Sequence, residues 1–309
     1  MTPRNDRNGV ERVALKYDLL DLGRRGEYVA LYGACQEWTS DYTFVNLWAW
    51  TDERRYEWAF DSGFCWLRIM SPLPTNWAPV GNWIGVDWKP MLKRLFPEGA
   101  VFERVPEPLS EIWRRTLGTH ARIEEQRSEW EYVYPVGDLI SLKGNRLHAK
   151  RNLLMQFRRL YDWTYEEIGR DDIDEILALQ GDWCRWRNCD DTPGLRAENH
   201  AITRILCDWD NLPGLMGGLL RVDGRPVAYT IAEGLSSGGP DMLVIHFEKG
   251  FTDYKGIYQA INQTFLERSG SAYRRVNREQ DMGSESIRQA KESYNPSGYL
   301  KKYRVTWLG

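Results

Sequence analysis

The sequence has few of the residues that build metal sites and disulfide networks. Its five cysteines are an odd number, and no two of them have CxxC spacing. We therefore expect neither a disulfide framework nor a zinc knuckle. There are four histidines and no HExxH motif, so we expect no metal ion. Cys184 and Cys189 lie on either side of Trp186 and are expected to be core residues rather than nucleophiles.

Long apolar segments and hydrolase motifs are also missing. No run of about 18 apolar residues occurs, which argues against a membrane-spanning helix. The first ten residues, MTPRNDRNGV, are polar and lack the apolar core of a signal peptide. The absence of a GxSxG motif and of a Ser/His/Asp order argues against a serine hydrolase. Together these absences predict a soluble, cytoplasmic protein.

The sequence does contain enough apolar material for a large folded core. Of its 309 residues 42% are hydrophobic, and 15 are Trp and 16 are Tyr. Aromatic residues in such numbers usually fill cores or cleft walls. The length suits one large domain or two of ordinary size. The net charge of −3 argues against a surface that binds nucleic acid as a whole, but it is compatible with a local basic face.

The first half, to about residue 140, is rich in β-type patterns. Residues 27–60 begin like a short helix and continue as aromatic strands. The segment YEWAFDSGFCWLRIM predicts a hairpin that turns at Asp61-Ser62-Gly63. Helices are expected near residues 87–95 and 110–117, and the alternation in EWEYVYPV predicts a strand.

The second half has a clearer order of elements. Apolar residues at helical spacing predict a helix over residues 145–160. The predicted order after it is helix, helix, a hairpin that turns at Asp223-Gly224, strand, helix, strand, helix and strand. The segments are, in turn, DDIDEILALQGDWCRW, ENHAITRILCDW, LMGGLLRVDGRPVAYTIAEGL, DMLVIHFEKG, YKGIYQAINQTFLERSG, YRRVNREQD, SESIRQAKESY and KKYRVTW.

This order, with a hairpin before a V-shaped pair of central strands, resembles the GNAT acyltransferase fold. LKGNRLHAKRNLLMQF, VIHFEKGFTDYKGIYQAINQTF and VNREQDMGSESIRQAKESYNPSGYLKKY resemble the DUF2156 family, which groups with the C-terminal catalytic domain of phosphatidylglycerol lysyltransferases. The resemblance implies an α/β (α+β) fold of two GNAT-like domains in tandem, as in the Fem-type aminoacyl-tRNA-dependent transferases. We expect an N-terminal GNAT-like domain over residues 1–140 and a C-terminal one over residues 141–309, which includes the basic linking helix 145–160.

The resemblance also implies transfer of an acyl or aminoacyl group to an amine or a hydroxyl. Our first hypothesis is an aminoacyl-tRNA-dependent transferase that uses no cofactor. The alternatives are an N-acyltransferase that depends on an acyl-CoA such as acetyl-CoA, and a non-catalytic module that binds an amino acid or an anion. The expected partners are aminoacyl-tRNA and a small-molecule or lipid acceptor.

Charge is concentrated in RVNREQDMGSESIRQAKESYNP, residues 275–296. Alternation along a strand would place Arg278 and Gln280 on one face and residues 277, 279 and 281 on the other. In a covered sheet such charges either pair with one another or line a polar cleft. Candidates for the catalytic base are Glu279 and Asp281, and Asp281 would equally suit a helix N-cap. The residues expected to bind substrate here are Asn277, Arg278, Lys291 and Tyr294.

The helix that follows this strand carries further charges. Lys291 lies between Ile287 and Tyr294 on the apolar stripe. Its ammonium either reaches along the surface to water or contacts an anion. The other charged residues of this helix are expected to be solvated; they are Glu285, Arg288 and Glu292.

The helix over residues 145–160 is strongly basic. From Lys143 to Arg159 there are six Lys or Arg and no acid. Helical spacing places Lys150 and Arg151 on the inward side, and both are candidates for substrate binding. They would form a clamp for phosphate or carboxylate, including the acceptor arm of a tRNA, or else ion pairs with acids of the other half.

An acetyl-CoA site of the GNAT type would need a glycine-rich loop of the pattern Q/R-x-x-G-x-G/A before a helix. The corresponding segment here is EKGFTDYKGI, with Gly256 alone at the helix start. This departure disfavours acyl-CoA as donor and favours aminoacyl-tRNA, although Lys255 and Gly256 are candidates to contact a phosphate. Glu248, at the end of a buried strand, would hold the amino group of an aminoacyl donor, act as a base, or pair with Lys249 or Arg278.

Overall fold

The computed structural model describes residues 14–236 and 240–309. The polar N-terminal segment that argued against a signal peptide lies outside these residues. The described chain forms two compact units. The first holds the described residues up to Thr39, Arg54–Glu129 and Lys301–Gly309, and the second holds Ser40–Glu53 and Trp130–Leu300.

The strands and helices are numbered in chain order. The strands are β1 Asp18–Leu19, β2 Tyr56–Asp61, β3 Phe64–Ile69, β4 Thr75–Trp77, β5 Ala100–Pro106, β6 Ala121–Glu125, β7 Glu131–Pro135, β8 Trp163–Glu167, β9 Leu215–Val222, β10 Arg225–Ser236, β11 Pro240–Gly250, β12 Arg275–Gln280, β13 Gly298–Leu300 and β14 Lys302–Trp307. The helices are α1 Arg25–Gly33, α2 Phe44–Ala49, α3 Thr51–Arg54, α4 Trp88–Leu95, α5 Glu107–Leu117, α6 Val136–Ser141, α7 His148–Leu160, α8 Ile173–Arg187, α9 Pro193–Cys207, α10 Ile257–Arg268 and α11 Glu285–Glu292. Short 3-10 helices span Ser40–Tyr42, Gly118–His120, Arg127–Glu129, Asn145–Leu147, Arg170–Asp172, Cys189–Asp191 and Trp209–Asn211.

The first unit is built on a seven-stranded sheet with the order β1-β2-β3-β4-β5-β14-β6. Its core is aromatic, with five fully buried tryptophans: Trp58, Trp66, Trp88, Trp113 and Trp307. Trp88 and Trp113 meet edge to face, with ring centroids 5.4 Å apart, a geometry that aromatic pairs favour. This core accounts for much of the tryptophan in the first half of the sequence.

The second unit is built on another seven-stranded sheet, with the order β13-β7-β12-β11-β10-β9-β8. Its central strands β11 and β12 are parallel but pair over only three positions, from Met242 with Arg275 to Val244 with Asn277. Beyond that point the ladder stops. The two strands therefore separate inside the sheet, as the resemblance to GNAT proteins implied.

Most predicted elements are confirmed. In the first half these are α1, the β2–β3 hairpin with its turn at residues 61–63, α4, α5 and β7. In the second half they are α7 to α11, the β9–β10 hairpin that turns at Asp223-Gly224, and strands β11, β12 and β14. None of the helices within residues 14–236 and 240–309 has the length and apolar character needed to cross a membrane.

The prediction of aromatic strands was wrong for residues 44–54, which form α2 and α3. Thr43 is the N-cap of α2, and its hydroxyl accepts a hydrogen bond from the backbone N–H of Asn46 at 3.2 Å. Such a cap satisfies one of the free N–H groups of the first helical turn. All six residues of α2 are buried, so no polar face marked this helix in the sequence.

The sequence predicted no disulfide framework and did not anticipate the disulfide that the structure contains. Cys184, near the end of α8, forms a disulfide with Cys189 in the 3-10 helix that follows. The chain reverses there at Asn188, which has a left-handed backbone conformation. That reversal brings together two residues whose spacing carries no recognisable disulfide signature.

The division into units differs in position from the predicted boundary at residues 140 and 141. Strand β7, residues 131–135, pairs with β12 and β13 and so belongs to the second unit. The last strand, β14, pairs with β5 and β6 and so returns to the first. Strand pairing between distant segments sets this division, and a linear reading of the chain does not reveal it.

Gly256 provides a test of the packing that fixes α10 to α7. It is the N-cap of α10 with φ +84°, and a Cβ built there would lie 2.3 Å from the carbonyl oxygen of Leu153. Gly256→Ala should lower the free energy of unfolding by about 2 kcal/mol or more, because it adds left-handed strain to a clash with backbone. Chemical denaturation would measure the loss.

The matched control is Gly137→Ala in α6. No atom lies within 4 Å of a Cβ built at Gly137, and Ala is the better helix former. Its stability should equal or slightly exceed that of the wild type. Equal stabilities for both variants would contradict the close approach of the two helices.

Candidate active site

A cavity of about 570 Å³ opens where β11 and β12 separate. It is lined by side chains from α7, α9, β11, α10, β12, α11 and the residue that follows α11 by two positions. The charged and aromatic residues that line it are Lys150, Glu198, His246, Glu248, Tyr258, Arg278, Lys291 and Tyr294. Its walls also include Ile245, Ile287 and Ala290, so the cavity combines many polar side chains with some apolar surface. Polar groups that converge on a cavity can fix the orientation of a ligand.

An ion pair between Arg278 and Glu248 lies in the wall of the cavity. Nη2 of Arg278 donates to Oε1 of Glu248 at 3.3 Å, and Nδ2 of Asn262 donates to Oε2 at 2.9 Å. Burial raises the pKa of Glu248, and the charge of Arg278 opposes that rise. Nη1 of Arg278 is buried and has no hydrogen-bond partner among the described residues. A buried donor of this kind is costly to leave unpaired, so an acceptor brought by a ligand would be stabilised there.

Lys150 brings a second cation to the same place. Its Nζ lies 4.5 Å from the centre of the Tyr294 ring, and the guanidinium carbon of Arg278 lies 5.0 Å from that centre. Burial and the neighbouring Arg278 lower the pKa of Lys150. Lys150 forms no ion pair with any residue in the described ranges. The cavity therefore presents positive charge that the protein itself leaves partly uncompensated.

A bulge in β12 sets the direction of the side chains around the cavity. The pairing of β12 with β7 is irregular between Asn277 and Gln280, and Glu279 has φ +58°. Oδ1 of Asn277 accepts from the backbone N–H of Glu279 at 2.8 Å. Nζ of Lys291 donates to the carbonyl oxygens of Arg278 and Gln280, both at 2.6 Å. These contacts hold the bulge from both sides.

The bulge makes the predicted alternation of residues 277–281 wrong. Nε2 of Gln280 donates to Oδ1 of Asp41 at 3.0 Å. This contact lies on the same side of β12 as the one in which Oε1 of Glu279 accepts from Nδ2 of Asn46 at 3.2 Å. Asp281 instead turns toward Arg288 on α11. An extra residue in one strand shifts the side-chain period by one, which a strict two-residue alternation cannot anticipate.

Lys291 makes an interaction that the sequence did not predict. Burial lowers the pKa of this lysine to about 8, although nearby acids such as Glu279 oppose the shift. Its ammonium is held by the carbonyl oxygens of Arg278 and Gln280. Lys291 also lines the cavity, so it positions Arg278 and contributes charge to the site.

Asp281 is a structural anchor, which corrects its prediction as a candidate for the catalytic base. Its fully buried carboxylate accepts from the hydroxyl of Tyr132 at 2.6 Å, from Nε of Arg288 at 3.0 Å and from the backbone N–H of Gly283 at 2.8 Å. Burial opposes the charge, but these hydrogen bonds lower the pKa of Asp281 to about 2. Arg288, which was expected to be solvated, is the partner that this carboxylate requires.

Glu279, the other predicted base, belongs to a chain of hydrogen bonds behind the cavity. Its Oε1 lies 2.9 Å from Nδ1 of His246, and Nε2 of His246 lies 2.8 Å from Oε1 of Glu233. The side chain of His246 is 1% exposed. Burial disfavours its charge, but the hydrogen bonds with the two carboxylates raise the pKa of His246 to about 10. The imidazole is therefore a cation that donates to both acids.

Asn277 and the buried Glu131 support this arrangement from the neighbouring strand. Asn277 is fully buried and donates to Glu131, which also accepts from the backbone N–H and the hydroxyl of Ser40 at 3.0 and 2.9 Å. Burial raises the pKa of Glu131 to about 8. Asn277 does not line the cavity, so its predicted role in substrate binding gives way to a role in holding β12 against β7.

The predicted site residues thus divide into two groups. Those that line the cavity are Lys150, Glu248, Arg278, Lys291 and Tyr294. Those that do not are Arg151, Lys255, Gly256, Asn277, Glu279 and Asp281. Arg151 donates to the carbonyl oxygen of Leu142 at 3.0 Å, at the end of α6. The side chain of Lys255 is exposed, and its backbone N–H donates to the hydroxyl of Tyr161 at 3.0 Å.

Sequence reasoning missed His246, Glu198, Tyr258 and Gln259, which also line the cavity. A signal existed for His246, because one histidine stands inside the apolar run of LVIHF and a buried polar residue needs partners. The register of β10 and β11 shifts between Ile231 and Ala232, next to His246, and local sequence does not mark that bulge. Across the described ranges, no group of three or more His, Cys, Asp or Glu side chains is placed to hold a metal ion.

The fold defines the class of protein. FemX has the same fold with a TM-score of 0.56 at 8% identity, and a tandem GNAT protein from the clavulanic acid biosynthesis pathway has it with a TM-score of 0.50 at 9% identity. The chain is therefore a mixed α/β protein of the tandem GNAT-like acyltransferase type. Residues 33–306 match the family described as phosphatidylglycerol lysyltransferase, C-terminal, and the chain belongs to that family.

The relatives extend this assignment. A conserved protein of unknown function from Bacteroides thetaiotaomicron is 30% identical, with 95% of this chain and 99% of that chain covered and a TM-score of 0.86. The DUF2156 domain of a putative lysylphosphatidylglycerol synthetase from Agrobacterium fabrum is 14% identical, with 92% of each chain covered and a TM-score of 0.61. The resemblance to DUF2156 is thus confirmed.

A curated relative matches a smaller part of the chain. An uncharacterized protein of Mycoplasmoides gallisepticum is 25% identical over 183 residues, which cover 58% of this chain. The match spans 56% of the length of that relative. Family membership and fold place this protein among the acyltransferases related to aminoacyl transfer.

Asp281→Asn tests the anchor of α11. The variant should lose on the order of 1–3 kcal/mol of stability, because the guanidinium of Arg288 would face a neutral amide in place of a buried carboxylate. Glu285→Gln on the same helix is the control, since its carboxylate is 69% exposed and lies 3.9 Å from Arg288. It should change stability by less than about 0.5 kcal/mol. Similar losses in urea unfolding of both variants would argue against the anchor.

His246→Gln tests the buried imidazolium through pH. Because the pKa of His246 is raised from 6.5 to about 10, its stabilising contribution is complete below about pH 6.5 and is lost as pH rises to about 10. The stability difference between wild type and His246→Gln should therefore shrink across that range. His148→Gln, at an exposed histidine, controls for the loss of an imidazole and should change stability by less than about 0.5 kcal/mol. A constant difference for His246→Gln would refute a charged imidazole.

Proposed function

We propose that this protein transfers an aminoacyl group from aminoacyl-tRNA to an amine or hydroxyl acceptor, with the reaction taking place in the cavity between β11 and β12. The observation that carries the proposal is the pair of Glu248 and Arg278 in the cavity wall, where Nη1 of Arg278 lacks a partner among the described residues. Membership of an acyltransferase family supports the reaction class. The donor and the acceptor are part of the proposal.

The reaction asks the protein to position two substrates, accept one proton and stabilise one oxyanion. The acceptor nitrogen or oxygen forms a bond to the carbonyl carbon of the aminoacyl ester. The ester C–O bond then breaks, and the ribose oxygen of the tRNA leaves. The proton lost by the acceptor is passed on to that leaving oxygen, so the step needs no oxidant or reductant.

Glu248 is the base that fits this scheme. Its carboxylate lines the cavity and has a pKa raised by burial, which brings a carboxylate closer to the range of an effective base. Arg278 is the group that would stabilise the oxyanion, because its free Nη1–H is buried and preorganised. Lys150 and Lys291 add positive charge near the developing negative charge.

The start of α10 favours aminoacyl-tRNA over acyl-CoA as the donor. A pyrophosphate cradle uses free backbone N–H groups at a helix N-terminus. Here the N–H of Lys255 donates to Tyr161, and the N–H of Ile257 donates to the carbonyl oxygen of Tyr254 at 3.1 Å. Those two donors are already satisfied, so a pyrophosphate would have to displace contacts within the protein.

Glu248→Gln provides the central test. The purified protein would be incubated with a pool of tRNA charged with labelled amino acids and with an extract of small molecules and lipids. Transfer of label from RNA into products other than free amino acid would be measured. We expect transfer by the wild type and a loss of roughly 100-fold or more in Glu248→Gln, because the proton acceptor is removed. Binding of charged tRNA should be retained.

Asp253→Asn is the matched control, since it also converts an acid to its amide and Asp253 is exposed. It should transfer at the wild-type rate. Equal rates for Glu248→Gln and wild type would overturn the role of Glu248. Transfer from labelled acetyl-CoA instead of tRNA would identify an acyl-CoA-dependent enzyme, and binding of an amino acid without any turnover would identify a non-catalytic module.

A further inference from the structure

Some surface arginines of this chain are paired with acids. Examples of such pairs are Arg24 with Glu27, Arg94 with Asp61, Arg204 with Asp52 and Arg275 with Asp241. This pattern is expected for a chain with 41 basic and 44 acidic residues. Other exposed arginines, such as Arg114, Arg225 and Arg274, form no ion pair with described residues. A basic region is therefore identified by a stretch of chain that contains several cations and no acid.

One such region surrounds α7 in the second unit. The chain has no acidic residue between Asp138 and Asp162. Four cations there are exposed and form no ion pair with described residues: Lys143, Arg146, Arg159 and Lys255. We name this set the α7 patch. Lys255 belongs to it because its backbone N–H donates to the hydroxyl of Tyr161, the C-cap of α7.

The α7 patch is connected to the cavity by the helix itself. At about 1.5 Å per residue the 13 residues of α7 extend ~20 Å. Lys150, in the first turn of this helix, lines the cavity. A second concavity, of about 580 Å³, runs along α7 and is lined by Asn152, Met155, Gln156, Arg158 and Arg159. A polyanion lying along α7 would thus have one end at the cavity.

The chemistry of this surface fits an RNA backbone better than a membrane. The concavity along α7 offers two amide side chains and the guanidinium of Arg159, which suit phosphate and sugar oxygens. The guanidinium of Arg158, in the same concavity, donates to Gln263 and pairs with Glu267. A bilayer surface would require a broad apolar face next to the cations. Within α7, Met155 and Leu160 are the two large apolar residues that are exposed. The local positive charge is also independent of the net charge of −3.

We infer that the α7 patch is the docking surface for the phosphate backbone of the donor tRNA, with the acylated 3′ end directed past Lys150 into the cavity. The inference rests on the proposed function for the identity of the RNA. It adds the surface that binds the RNA and the route by which the ester reaches Glu248 and Arg278.

The test is the salt dependence of binding to bulk deacylated tRNA, measured by fluorescence anisotropy between about 50 and 300 mM KCl. The variant Lys143→Gln/Arg159→Gln/Lys255→Gln removes three exposed cations. Each phosphate contact contributes roughly 0.7 to 0.9 to the slope of log K against log salt. The slope should therefore fall by about 2 to 3, and the Kd at 100 mM KCl should rise at least about tenfold.

The control variant is Arg170→Gln/Arg185→Gln/Arg196→Gln, which removes the same charge from exposed positions in the α8–α9 region of the same unit. Its slope and Kd should match those of the wild type. Circular dichroism melts of both triple variants would verify that they fold. An equal effect of the two variants, or no effect of either, would overturn the inference.

A second experiment measures binding of the same variants to vesicles that contain anionic lipid. If the α7 variant loses vesicle binding but binds tRNA as the wild type does, the patch is a membrane surface and the inference fails. If the α7 variant transfers aminoacyl groups at the wild-type rate under subsaturating tRNA, the docking surface is refuted while the proposed function stands. If the wild type binds tRNA through the patch but transfers nothing, the docking surface stands and the proposed function fails.

Discussion

The separation of β11 and β12 is the constraint on which the site depends. Two parallel strands that stay paired would satisfy their backbone groups against each other, and no cavity would form between them. Here the ladder ends at Val244 and Asn277, and the freed carbonyls of Arg278 and Gln280 are bound by the ammonium of Lys291. A buried carbonyl group without a partner is costly, so the hydrogen bonds from Lys291 lower the free-energy cost of separating the two strands. The same residue places Arg278 in the cavity wall.

Several charged residues near this opening therefore stabilise the fold rather than take part in the reaction. Asp281 and Arg288 fix α11, and the imidazolium of His246 joins Glu233 and Glu279 behind the cavity. Buried charges of this kind must be paired and hydrogen-bonded to be stable. These charges are paired with one another. Two cationic groups that face the cavity still lack a hydrogen-bond acceptor or an ion-pair partner among the described residues. They are the Nη1–H of Arg278 and the ammonium of Lys150, with Glu248 as the nearby base.

Much of this was accessible from the sequence, for physical reasons. Charged residues on a buried strand or on the apolar stripe of a helix must meet a partner. That rule singled out Lys150, Glu248, Arg278 and Lys291, which line the cavity. The roles of Glu279 and Asp281 were not accessible, because the bulge at Glu279 depends on pairing with β7. The helix α2, buried on all sides, and the return of β14 to the first sheet were hidden for the same reason. Both depend on contacts between segments far apart in the chain.

The most direct test of the account is the binding of an amide analogue of 3′-aminoacyl-adenosine, which mimics the acylated end of tRNA and cannot be cleaved by transfer. Isothermal titration would compare the wild type with Arg278→Met, and a crystal structure would locate the analogue. The account predicts binding to the wild type, at least about a tenfold loss in Arg278→Met, and electron density for the analogue between Glu248 and Arg278. Binding that does not depend on Arg278, or density outside the cavity, would contradict it.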